Sequence, residues 1–178
     1  MNNLWDENGG QQMHYTNQND LYMKHFSEQL PNFTGERVLE MGAGWGGFAL
    51  MLINKYKIKE YFLLDLEANI QDSVNFLNSE GFTNIKQYYS SNYKELFEKN
   101  FDLFVANVVL TEVEKEYRED LLNNVIPNCK NAMIITEINF EDEYGKWLMN
   151  LFKNNFDNVD VKITTYGNCY ALTGEKNK

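Results

Sequence analysis

The run Val38-Leu39-Glu40-Met41-Gly42-Ala43-Gly44-Trp45-Gly46-Gly47 carries an apolar strand into four glycines, and Phe48 to Tyr56 then reads as a helix. A strand, a glycine turn and a helix in succession place bare backbone at the carboxyl edge of a sheet. Glycine has no Cβ to hold a ligand away from that backbone. Glu40 stands two residues before the first glycine. A carboxylate there repels the pyrophosphate of a dinucleotide but suits a cationic amino group.

The rest of the chain repeats this alternation. Apolar and β-branched runs predict strands over 37–41, 60–66, 84–89, 101–108, 131–138, 159–165 and 168–174. Amphipathic spacing predicts helices over 48–56, 68–80, 93–98, 114–125 and 141–154. Alternating strands and helices build βαβ units, so the expected class is α/β: a mostly parallel, Rossmann-like sheet with helices on both faces. The last two runs, joined at Tyr166-Gly167, predict a hairpin that makes the seventh strand antiparallel. Ahead of the sheet, residues 1–33 form an Asn- and Gln-rich arm. A weak helical pattern at Leu21, Met23, Phe26 and Leu30 stops at Pro31. One domain is expected, 34–178, with the arm as part of a lid.

Composition narrows the function. Sixteen Lys and Arg against 26 Asp and Glu leave a net charge of −10, and no basic cluster offsets it. Nucleic-acid binding, which needs such a cluster, is not expected. No apolar run approaches the ~20 residues of a membrane span, and the first residues lack the basic and apolar segments of a signal peptide. A cytoplasmic location is therefore expected. Cys129 and Cys169 have no metal or redox spacing and read as buried thiols in a reducing compartment; no metal is expected.

Gly42, Gly44 and Gly47 fit G-x-G-x-x-G, a weak signal alone. Asp65 ends the second predicted strand about twenty residues on, where a carboxylate can accept both ribose hydroxyls of an adenosine cofactor. Its alternative reading is a cap for the following helix. Glu40 and the terminal hairpin then favour S-adenosyl-L-methionine over NAD.

On these residues the chain resembles the class I S-adenosylmethionine-dependent methyltransferases over 34–174. Glu40-Met41-Gly42-Ala43-Gly44 resembles their first motif, Asp65 their second, and Phe101 to Asn107 their fourth strand. The added stretches Phe62 to Leu66 and Asn107 to Val113 are similar to the candidate sugar O-methyltransferases, although Glu67 stands where that family often has proline. The resemblance implies that Glu40 holds the methionine amino group and that Gly42, Ala43 and Gly44 let the turn approach. It further implies that Asp65 binds the ribose, Leu66 packs on the adenine, Ser91 and Asn92 face its edge, and Asn107 faces the methionine part.

Methyl transfer to a hydroxyl needs alignment and a route for the proton. Glu112 and Glu137, each after a parallel strand, and His14 in the arm are the candidate bases. Glu112 has an alternative as a dipole-favoured helix-terminal carboxylate, Glu137 as a helix cap, and His14 as a surface or packing residue. Trp5, Tyr15, Tyr22 and Phe26 either wall a pocket or form the buried face of the arm's helix. After the fourth strand comes Asn107-Val108-Val109-Leu110, without the prolines typical of amine-methylating relatives. The expected activity is methyl transfer to an oxygen of a small polar acceptor, sugar-like in character. The alternatives are a non-catalytic cofactor-binding accessory or sensor protein, and a methyltransferase acting on a protein. The oligomeric state is open.

Overall fold

In the computed structural model, residues 20, 22–164 and 169–177 are described. Seven strands, β1 (Arg37–Met41), β2 (Glu60–Asp65), β3 (Ile85–Tyr89), β4 (Phe101–Asn107), β5 (Cys129–Thr136), β6 (Asn158–Ile163) and β7 (Tyr170–Glu175), form one sheet in the order β3-β2-β1-β4-β5-β7-β6. The first five are parallel, and β7 runs antiparallel to both neighbours, as the terminal hairpin predicts. The predicted turn at Tyr166-Gly167 lies outside the described residues. Strand order reverses between β1 and β4, so the loops after these two strands diverge and leave a crevice at the carboxyl edge.

The helices are α1 (22–29), α2 (Gly47–Lys55), α3 (Glu67–Ser79), α4 (Lys115–Val125) and α5 (Glu143–Asn155). Because strand side chains alternate, Val38, Tyr61, Leu63, Leu103 and Val105 share one face of the sheet with α1, α2 and α3. Leu39, Phe62, Phe104 and Ile134 share the other with α4 and α5. Strands covered on both faces must be apolar on both, which is why β2 and β4 read as nearly unbroken apolar runs.

The weak pattern in the arm becomes a packed helix. Phe26 is fully buried, its ring edge-on to Phe33 at 5.5 Å and Tyr56 at 5.4 Å. Tyr22 meets Phe48 edge-on at 6.2 Å. For these two residues the buried-face reading holds, and residues 22–30 are a layer of the core; Trp5 and Tyr15 lie outside the described residues. His25, also on α1, is buried with Nε2 unpartnered, and burial lowers its pKa.

Some elements depart from expectation. β5 begins two residues early at Cys129, paired to Phe101. The predicted helix over 93–98 is only a 3₁₀ turn, Tyr93–Leu96. A second 3₁₀ turn, Val109–Thr111, follows β4 where no helical period was expected. Both cysteines are buried and free, and burial raises both thiols. Among the described residues no helix is long and apolar enough to cross a membrane.

Candidate functional site

The glycine turn is left-handed at three positions, with φ of 76° at Gly42, 55° at Gly44 and 88° at Gly46. Two of these have distinct reasons. A Cβ on Gly42 would lie 2.6 Å from Val109 Cβ, so glycine here lets the loop after β4 pack against the loop after β1. A Cβ on Gly44 would meet nothing within 4 Å. Its backbone borders open space, which is the cradle expected of a ligand-approaching turn.

Glu40 is 2% exposed and accepts a 2.9 Å hydrogen bond from Tyr61 Oη across β1 and β2. Burial pushes its carboxyl up to about 7; the Tyr61 bond opposes this, and Asp65 adds to it. Among the described residues no Lys or Arg pairs with it. A buried carboxylate without a counter-ion is costly, and a cationic group seated beside it relieves that cost. Tyr61 escaped the sequence reading. Its signal was a tyrosine inside an apolar strand, since a buried phenol needs a partner.

Asp65 ties β2 to the glycine turn. Oδ1 accepts from Leu66 N at 2.7 Å and Asn69 Nδ2 at 2.9 Å, and Oδ2 from Gly44 N at 3.1 Å. The helix-cap alternative does not hold, because the N-cap of α3 is Leu66 and it carries no side-chain cap bond. Beside it Leu66 is 62% exposed, an apolar side chain left open to a flat partner. Asn92 Oδ1 accepts from Tyr89 N at 2.7 Å and so closes the turn after β3, in which Ser91 is exposed.

At the end of β4, Asn107 Oδ1 is buried with no partner. Val108 follows at φ 63°, among the described residues the one non-glycine in that region. For a β-branched residue this costs of order 1–3 kcal/mol and persists only where neighbours enforce it. Val108 N donates to Ile135 O at 2.7 Å, and Val108 O accepts from Thr111 Oγ1 at 3.1 Å. Neither Asn107's isolation nor Val108's strain could be read from residue types.

The candidate bases are less settled in their surroundings. Glu112 and Glu137 are both exposed, and among the described residues neither carboxylate is hydrogen-bonded. Glu137 does not cap α5: that role falls to Asp142, whose side chain accepts from Gly145 N at 2.7 Å. Glu112 sits ahead of α4, whose N-cap is Glu114 and whose first turn carries Glu116. His14 lies outside the described residues.

The buried Glu40 without a counter-ion, the unpartnered Asn107 Oδ1, the open backbone of Gly44 and the exposed Leu66 fit a cofactor with a cationic amine at one end and an adenosine at the other. A concavity of about 440 Å³ lies elsewhere, at the amino-terminal edge, bordered by Phe33, Asp102, Lys130 and Lys176. There Asp102 accepts from Glu36 N, Arg37 N and Lys130 Nζ, a structural closure of the sheet's end.

A profile of the methyltransferase small domain family matches residues 15–135. No curated protein matches the chain. Among solved structures, a candidate O-methyltransferase of Nostoc punctiforme superposes with a TM-score of 0.66 at 13% identity, over 85% of this chain and 55% of its own. An O-methyltransferase family protein of Burkholderia thailandensis gives 0.63 at 10% identity, over 81% and 52%. The methyltransferase domain of bacterial CtHen1 gives 0.65 at 13% identity, over 89% and 98%. The chain thus spans about half the length of the two O-methyltransferase structures.

Proposed function

The chain belongs to the methyltransferase small domain family, and from that premise we propose that it transfers the methyl group of S-adenosyl-L-methionine to an oxygen of a small polar acceptor, sugar-like in character. The observation that carries this reading is the buried, cation-free Glu40 beside a glycine turn whose backbone is open at Gly44. When bound, the cofactor supplies an activated methyl group on a sulfonium. Glu40, braced by Tyr61, would hold the amino group. Asp65 would accept the ribose hydroxyls, Leu66 would cover one face of the adenine, and Ser91 and Asn92 would border its edge. Asn107 would turn its free Oδ1 to the methionine part.

Holding the nucleophile in line with the methyl carbon can supply roughly 7–11 kcal/mol in favourable cases, so little further chemistry is demanded of the protein. The acceptor's proton still needs a destination. Glu137 and Glu112, at the ends of adjacent elements on the carboxyl edge, are the described groups suited to take it, with His14 of the arm as the third candidate. The absence of proline after Asn107 supports oxygen over an amine as the atom methylated.

Incubation with methyl-labelled cofactor and a panel of sugars and sugar acids tests the reading; label transferred to a hydroxyl supports it. Cofactor binding without turnover on any acceptor would favour the second reading, an accessory or sensor protein. The exposed, unanchored state of both glutamates supports that second reading. A thermal shift with NAD and none with S-adenosyl-L-methionine would overturn both.

A further inference from the structure

The strained turn after β4 is held from a distance by one side chain. Arg118, on the first turns of α4, donates from Nη1 to Leu110 O at 2.6 Å, inside the 3₁₀ turn Val109–Thr111. Its guanidinium lies 3.9 Å from the centroid of Tyr144 on α5, and Tyr144 stacks on Trp147 at 5.2 Å. Among the described residues Arg118 makes no ion pair, and its Nε is buried without a partner. A guanidinium spent on one carbonyl and one ring, with a donor left empty, is an expensive way to pack a helix. The chain's other arginine, Arg37, follows the ordinary pattern and pairs with Glu60 at 3.0 Å.

We propose that Arg118 is a positioning residue that clamps the turn after β4 and so fixes Asn107 and the glycine turn for the cofactor. Leu110 is completely buried, so the clamp holds its carbonyl in place. Val109, one residue earlier, is the side chain that fills the space a Cβ on Gly42 would need. Val108, one residue before that, sits at φ 63° directly after Asn107. Holding Leu110 therefore adds to the Ile135 and Thr111 bonds that keep Val108 left-handed, seats Val109 against Gly42 and leaves Asn107 Oδ1 buried and unpartnered. Tyr144 makes the clamp a bridge between the elements that follow β4 and β5. This role rests on the cofactor placement proposed above, but its mechanical part does not.

Two measurements separate the two. The first is amide hydrogen exchange of the chain without ligand. Arg118→Met keeps the apolar stem and removes the hydrogen bond and the charge. It is expected to speed exchange at Glu112, whose N–H bonds Val109 O, by about tenfold, the loss of one charge-assisted bond. Exchange at Leu103 and Val105 in the core of β4 should stay unchanged. The second is calorimetric affinity for S-adenosyl-L-methionine, expected to fall about tenfold in Arg118→Met. Adding Val108→Asn, which tolerates the left-handed conformation better, should restore most of that affinity. Unaltered exchange at Glu112 overturns the clamp. Faster exchange without rescue by Val108→Asn overturns its action through Val108 and leaves Arg118 a packing residue. A wild-type chain that binds no cofactor overturns the cofactor placement, while the exchange result still decides the clamp.

Discussion

Replacing Glu40 with Gln separates what the buried carboxyl costs the fold from what it gives the site. Gln keeps the shape and can accept the Tyr61 hydroxyl, but it cannot ionise. The carboxyl moves from an ordinary 4.5 to about 7 on folding, chiefly through burial. An acid whose pKa is higher folded than unfolded takes up a proton on folding. Its penalty is absent below the unfolded value, grows as pH rises between the two values, and is constant above the folded one. At about 1.4 kcal/mol per pH unit this amounts to roughly 3 kcal/mol at alkaline pH. Such a cost is a large share of a typical domain's 5–15 kcal/mol.

His25 runs the opposite way. Burial lowers its pKa, so it adds stability as pH rises through its unfolded value near 6.5. Wild-type stability alone is therefore ambiguous, and the difference between variant and wild type is the informative quantity. Urea unfolding followed by tryptophan fluorescence at pH 5, 6, 7 and 8 should show Glu40→Gln gaining on wild type by about 2–3 kcal/mol between pH 5 and 8. The same variant should bind S-adenosyl-L-methionine at least tenfold more weakly at pH 8, because a charge-assisted contact to the amine is lost. A stability difference independent of pH would refute the buried titration, and undiminished affinity would refute the amine contact.

Asp65→Ala should weaken cofactor binding tenfold or more by calorimetry. Its melting temperature should barely change, because the groups donating to Asp65 remain near solvent. Gly42→Ala meets both a left-handed φ and a Cβ 2.6 Å from Val109, so chemical denaturation should register a loss of about 2–5 kcal/mol. Phe26→Ala empties a fully buried ring site between Phe33 and Tyr56; the same assay should show about 3–5 kcal/mol lost. Cofactor affinity in wild type should rise with pH up to about 7 and level beyond it, as Glu40 gives up its proton; titration calorimetry across that range reads it directly.

How far the sequence reached depended on whether the signal was local. The sheet was legible because its central strands are apolar runs and several strand ends are marked by glycine or an acidic residue. The reversal of strand order between β1 and β4 was not legible, because no residue in either strand announces its neighbour. α1 was faint for a different reason. Only four apolar residues mark it, and its stability comes from Phe26 meeting Phe33 and Tyr56, contacts that no window of sequence contains. The helix expected over 93–98 shrank to a 3₁₀ turn, since Asn92 turns its side chain back to Tyr89 N and the following residues have room for a single turn. Val108 was invisible altogether, because valine is among the last residues expected at positive φ.

The same distinction divides the candidate site. Glycines and carboxylates at strand ends stand out by residue type alone, so Glu40, Gly44 and Asp65 could be named as cofactor candidates in advance. The proposed acceptor side lies at the loops after β4 and β5, where function rests on the direction in which ordinary residues point. Glu112 and Glu137 each follow a parallel strand, yet neither is braced by a hydrogen bond among the described residues. A base must be held within hydrogen-bond reach of the proton it removes, and an exposed glutamate spends most of its time elsewhere. For the proposed transfer, either the acceptor orders one of them as it binds, or the arm contributes the base. On the role proposed for Arg118, the turn after β4 bears on both cases, because it lies between Asn107 and Glu112 and Arg118 bonds its Leu110 carbonyl.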